Sequence, residues 1–136
     1  MTASLSTLID RHNIDVLDHL DREALVPVVS GLQRQGDVIV IPSTGARATS
    51  KVPAAGIAVV RGEAGGNTHT IVAEGTVYCD VRAASAANLT LATLTVPEGS
   101  TAYLAHPEHA YSGIGPGTYE LRRQREQADE LRMVQD

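Results

Sequence analysis

Phenylalanine and tryptophan are absent from this 136-residue chain, tyrosine occurs four times and cysteine once. Without the bulkiest apolar side chains, the core must be built from Val, Leu, Ile and Ala, thin residues that suit a pleated sheet better than a thick helical bundle. A lone cysteine, Cys79, excludes an intrachain disulfide and implies no oxidising compartment. Sharing one side of an alternating strand with Val77 and Val81, it reads as a buried inert thiol rather than a nucleophile. Also missing is any apolar run near the roughly 18 residues of a membrane span. Asp10, Arg11 and His12 come too early for the apolar stretch of a secretory leader. The expectation is a cytoplasmic protein with no membrane contact.

Positive charge is in short supply: eleven Lys plus Arg face sixteen Asp plus Glu, a net charge of −5. A nucleic-acid backbone would meet no general attraction. The basic cluster Arg122, Arg123 and Arg125 sits beside Glu120, Glu126, Asp129 and Glu130, and reads as a solvated strand face. A nucleic-acid-binding barrel needs aromatic platforms on a basic face. Tyr78, Tyr103, Tyr111 and Tyr119 could stack, but the acidity of the chain makes this the least favoured reading.

What is present divides near residue 30. Between about 4 and 25, Leu5, Leu8, Ile9, Leu17, Leu20 and Ala24 recur by threes and fours, predicting a helical segment with an acidic outer face. Asn13 interrupts the pattern, so one helix or two short ones, the second capped by Asn13, fit equally. Pro27 ends the signal.

After Gly36 the period shortens to two and turn signals recur at short intervals. Strands are expected at 37–42, 56–61, 67–73, 76–82, 89–96, 101–105 and 119–122. The polar stretch 43–55 is expected to be a mobile loop. Glu74-Gly75 predicts a tight hairpin between the strands on either side, and a phase shift between Leu91 and Leu94 predicts a bulge. The fold class that follows is mainly β: a small antiparallel barrel or sandwich of about eight strands over 31–136, preceded by an N-terminal helical segment over 1–30.

Three of the five histidines fall in two short motifs, Gly-Glu-Ala-Gly-Gly-Asn-Thr-His at 62–69 and His-Pro-Glu-His at 106–109. Residues three apart on a straight strand point to opposite faces, which would separate His106 from His109. Pro107 favours position i+1 of a β-turn, which brings the flanking α-carbons within about 7 Å and lets both rings converge. With His69 from a neighbouring strand end, the three imidazoles could hold a divalent transition metal, zinc or similar, at about 2.0–2.2 Å. Glu63 or Glu108 would then serve as fourth ligand or as a catalytic proton carrier. The structural alternative is that His106 and His109 cap a surface turn and His69 is a satisfied strand histidine. His12 and His19, on the helical face, read as surface or packing residues. No Gly-x-Ser-x-Gly elbow accompanies a hydrolase triad, and the glycines at 62, 65 and 66 introduce no helix that could hold phosphate.

In combination these motifs resemble a group of small bacterial proteins of uncharacterised function. Their pattern runs Gln-Gly-Asp and an apolar strand, Gly-Glu-x-x-Gly-His-x-His, His-x-Glu-His, Pro-Gly-x-Tyr and Gln-Arg-Glu. The matching positions are Gln35-Gly36-Asp37, Gly62-Glu63, Gly66, His69, His106, Glu108, His109, Pro116-Gly117, Tyr119 and Gln124-Arg125-Glu126. The resemblance implies a common fold over about 35–126 and carries no established activity. Asn67 stands where the pattern has a second histidine, and its amide oxygen is a weaker ligand for a borderline metal. Gln127 stands where an aromatic residue is common.

Two functions follow from the sequence. One is a metal- or small-ligand-binding β-barrel built on His69, His106 and His109, with enzymatic activity left open. The other is an assembly subunit, a homo-oligomer or part of a larger particle, docking through the N-terminal helix.

Overall fold

The computed structural model describes residues 2–61, 68–82 and 90–123. Among the described residues, ten strands form two five-stranded sheets. They are β1 (Val28–Val29), β2 (Gln33–Gln35), β3 (Val38–Pro42), β4 (Ile57–Val60), β5 (His69–Glu74), β6 (Tyr78–Val81), β7 (Thr90–Val96), β8 (Thr101–His106), β9 (Ala110–Ile114) and β10 (Gly117–Arg123). The first sheet runs β1-β9-β8-β5-β4 and the second β2-β3-β10-β7-β6. All pairings between named strands are antiparallel except that of β1 with β9. Each sheet keeps two edges, so the barrel form of the expectation gives way to two open sheets. One buried cluster joins them, with Ile71, Leu104 and Ile114 from the first and Val38, Val40, Leu94, Tyr119 and Leu121 from the second.

The chain changes sheets repeatedly, and one change overturns the predicted hairpin at Glu74-Gly75. β5 pairs with β4 and β8, whereas β6 pairs with β7 in the other sheet. Gly75, at φ +84°, turns the chain, and Val77, fully buried in the shared core, carries it across. The predicted bulge is present: Leu121 pairs with Ala92 but Arg122 with Thr90, which leaves Leu91 as the extra residue on β7. Cys79 is buried, and burial, helped by Asp80, pushes its thiol up to about 12, so it stays protonated. Stretch 43–55 is tied across the second sheet. Ala48 N–H donates to Thr95 Oγ1 at 2.8 Å and Ser50 N–H to Asp80 Oδ1 at 2.9 Å.

The N-terminal segment departs from its periodicity. Its helix, α1, covers Leu5–His12 only. Ser4 caps it by accepting Thr7 N–H at 3.2 Å. Asn13 then adopts a left-handed conformation (φ 58°) and closes the helix, instead of opening a second one. Beyond it, side chains compete for the backbone: Asp15 accepts Val16 N–H and Asp21 accepts Glu23 N–H, bonds that a continuing helix would not leave available. Residues 14–27 fold back on α1, with Leu5 N–H to Ala24 O at 2.9 Å and Val26 N–H to Ala3 O at 2.9 Å. This arm buries Leu5, Leu8, Val16 and Val26 against Val72, Tyr103, Ala105 and Tyr111 on the outer face of the first sheet. Among the described residues no helix is long and apolar enough to cross a membrane.

Candidate functional site

Alternation along β5 and β8 puts His69 on the same side as Ile71, and His106 on the same side as Ala102 and Leu104. Both histidines face the interior at one end of the sandwich and are only 5% and 3% exposed. β8 ends at His106, a turn over 107–109 follows, and Ala110 pairs back with His106. The tightness of this turn is paid in backbone conformation, since Ala110 lies at φ 64° without being glycine. As the sequence predicts, the proline-bent corner makes the rings converge. Ring centroids are 4.3 Å apart for His69 and His106, 4.6 Å for His106 and His109, and 6.2 Å for His69 and His109.

The third element at this end is the β2–β3 hairpin, whose two-residue turn is Gly36-Asp37 between the paired Gln35 and Val38. Gln35 is buried, and its amide nitrogen donates to Leu104 O at 2.7 Å, Ser112 Oγ at 3.0 Å and Ala110 O at 3.3 Å. A reversed amide would set oxygen against two carbonyl oxygens, so Oε1 must face His69 Nδ1, 3.1 Å away. Nδ1 therefore carries the proton and donates, which leaves the lone pair of His69 on Nε2.

Gly36 has two reasons to be glycine. Its φ of +56° suits the first position of the turn, and a Cβ there would lie 2.7 Å from His109 Nε2, so the His109 ring rests on bare backbone.

Electrostatics keeps His69 neutral. Burial, followed by the proximity of His106 and then His109, lowers its pKa from 6.5 to about 4, with Asp37 pulling weakly the other way. His106 is arranged oppositely to His69: its Nδ1 accepts the backbone N–H of Glu108 at 3.0 Å, so in the neutral ring the proton sits on Nε2.

Of the residues named from sequence, His69, His106 and His109 come together. Glu108 is exposed, and its main-chain N–H donates to His106 Nδ1. Glu63 and Asn67 lie outside the described residues. Among the described residues, no three His, Cys, Asp or Glu side chains are already arranged to hold a metal ion. The sequence reading assigned no site role to Gln35, Gly36 or Asp37. The Gln-Gly-Asp motif was the available signal, since a glycine and a carboxylate in a two-residue turn mark a hairpin whose preceding residue is held at a fixed orientation.

The family described as Domain of unknown function (DUF8820) matches residues 34–124. No curated protein and no solved structure matches the chain significantly.

Proposed function

Because the chain belongs to this family of unknown function, which lends it no activity, we propose from the site itself that the protein binds a divalent transition metal, zinc or similar, through His69, His106 and His109. The observation that carries this reading is the fixed state of His69, a neutral imidazole with Nε2 unprotonated and Nδ1–H given to Gln35. That is the state a metal requires, and a metal-bound histidine typically donates its other nitrogen to an oxygen in this way. Imidazoles sharing a tetrahedral ion with bonds near 2 Å have ring centres about 5 Å apart. The observed 4.3, 4.6 and 6.2 Å bracket that value, so the rings need shifts of about an ångström. His106 must also move its proton to Nδ1 and release the Glu108 N–H, at a cost of about 1 kcal/mol. Asp37 adds negative charge at the turn, and Glu63 and Glu108 are the carboxylates proposed to carry protons if an open position activates water.

Calorimetric titration of metal-stripped protein with zinc tests the reading. One saturable ion per chain, lost in both His69→Ala and His106→Ala, is expected. Absence of saturable binding, or binding unchanged by both substitutions, defeats it.

A second reading, an assembly subunit, draws on one observation: Leu25, Val28, Val29 and Leu32 are exposed along the first sheet's β1 edge. The partner proposed is a second copy of the chain. Light scattering of wild type and Leu25→Ser/Leu32→Ser checks it, and a monomer in both cases removes it.

A further inference from the structure

The arm that precedes the family-matched region touches the histidine turn directly. Leu17 N–H donates to the carbonyl of Pro107 at 2.9 Å, and Pro107 is the first residue of the turn that carries His109. From β9, the strand after the turn, Tyr111 donates its hydroxyl to Ile14 O at 2.8 Å. The same arm is fastened again just before Ile14. Arg11 Nη1 lies 2.9 Å from both oxygens of Glu74, and His12 Nε2 lies 3.2 Å from Oε2. Glu74 ends β5, the strand that His69 begins, so this fastening lies at the opposite end of that strand from the histidine site, about 17 Å from His69 along it. Between them the contact is apolar, α1 and residues 14–26 covering Val72, Tyr103, Ala105 and Tyr111.

We infer that the N-terminal arm is a positioning strap for the histidine site, holding the 107–109 turn so that His106 and His109 stay against His69, and that ion binding and strap docking favour each other. The inference rests on the metal reading for its ligand, but its structural half stands on the Leu17–Pro107 and Tyr111–Ile14 bonds. A turn whose apex carbonyl is fixed to a second element keeps its two imidazoles in one relative position. Freed of that bond, the turn has more conformations, and an ion must select among them, which lowers its affinity. Because coupling is reciprocal, a bound ion must also shift the strap toward its docked state.

The test uses the full chain and cobalt(II), whose visible bands report the geometry of its ligands. Three variants are compared: Leu17→Pro, which removes the N–H given to Pro107; Leu17→Ala, which keeps it; and Glu74→Gln, which weakens the distant fastening without touching the turn. Expected results are an about fivefold or greater loss of cobalt affinity with altered bands in Leu17→Pro, no change in Leu17→Ala, and a smaller loss in Glu74→Gln. Amide exchange of Leu17 should rise in Glu74→Gln and fall when cobalt is added to wild type. If Leu17 exchange rises in Glu74→Gln while affinity and bands stay at wild-type values in every variant, the strap has no hold on the site. If wild-type protein takes up no cobalt, the metal reading fails separately. The imidazole nitrogen shifts of His106 in metal-free protein then decide the strap: a change in Leu17→Pro but not in Leu17→Ala supports it, and identical shifts overturn it.

Discussion

Gln35 is the residue on which most of the site turns, because a single side chain fixes a tautomer, ties β2 to β8 and β9, and borders the glycine under His109. Replacing it with leucine keeps the bulk but removes the donor to the carbonyls of Leu104 and Ala110 and leaves the Nδ1–H of His69 without its acceptor. A loss of about 2–3 kcal/mol in stability is expected, read from urea denaturation. Zinc affinity should fall by about tenfold or more, since the ligand is no longer oriented. Gly36→Ala probes a different contact. Its Cβ would meet His109 Nε2 at 2.7 Å on a backbone at φ +56°, so the ring must leave its place. The expected outcome is a shifted His109 ring resonance and about 1–2 kcal/mol less stability. The Gln-Gly-Asp motif signals the hairpin turn but neither of these roles. A glutamine beside Gly-Asp reads as an exposed turn neighbour, and only the packing of three segments at one end of the sandwich makes it internal. His106 and His109, by contrast, were legible, because Pro107 dictates a bend whatever surrounds it.

At the scale of elements, period-two patterning found β3 to β8 and β10, each with one face in the shared core, and did not anticipate β1, β2 or β9. It could not tell which sheet a strand joins. Glu74-Gly75 supplies the turn chemistry of a hairpin, yet the buried position of Val77 sends β6 to the other sheet, a choice made by long-range packing. The arm shows the converse failure. Leu17, Leu20 and Ala24 continue a helical spacing, but Asn13 and the Asp15 and Asp21 side chains end the helix locally, and the apolar residues are spent on an irregular segment instead. Leu8, fully buried under the arm, tests how independent that element is. Leu8→Ala should cost about 2–4 kcal/mol. Hydrogen exchange is expected to rise first at 5–26, with the amides of Leu94 and Leu121 in the body responding only to global unfolding. Uniform loss of protection in both regions would show that arm and body unfold as one unit.

For the whole molecule, a buried neutral imidazole makes stability depend on pH in a direction that can be worked out. The pKa of His69 is about 4 in the folded chain against 6.5 as reference. Between those values the unfolded chain binds a proton that the folded chain refuses. Stability therefore falls as pH drops through 6.5 and levels off near 4, the total reaching about 3 kcal/mol for the full shift. The proximity of His106 and His109 adds to burial in this shift, since each opposes protonation of His69. In chelator, wild type should lose more stability than His69→Gln across this window. Subtracting the two curves removes the carboxylates common to both, and a difference that stays flat from pH 7 to 4 would place the His69 ring in water rather than in the core. Added zinc must steepen the wild-type curve alone, because the ion binds only deprotonated rings of the folded chain and raises its stability with the logarithm of free metal. The same titration in His69→Gln should leave its melting temperature unmoved, so a single pH series with and without zinc separates the cost of burying the imidazole from the gain of giving it a ligand.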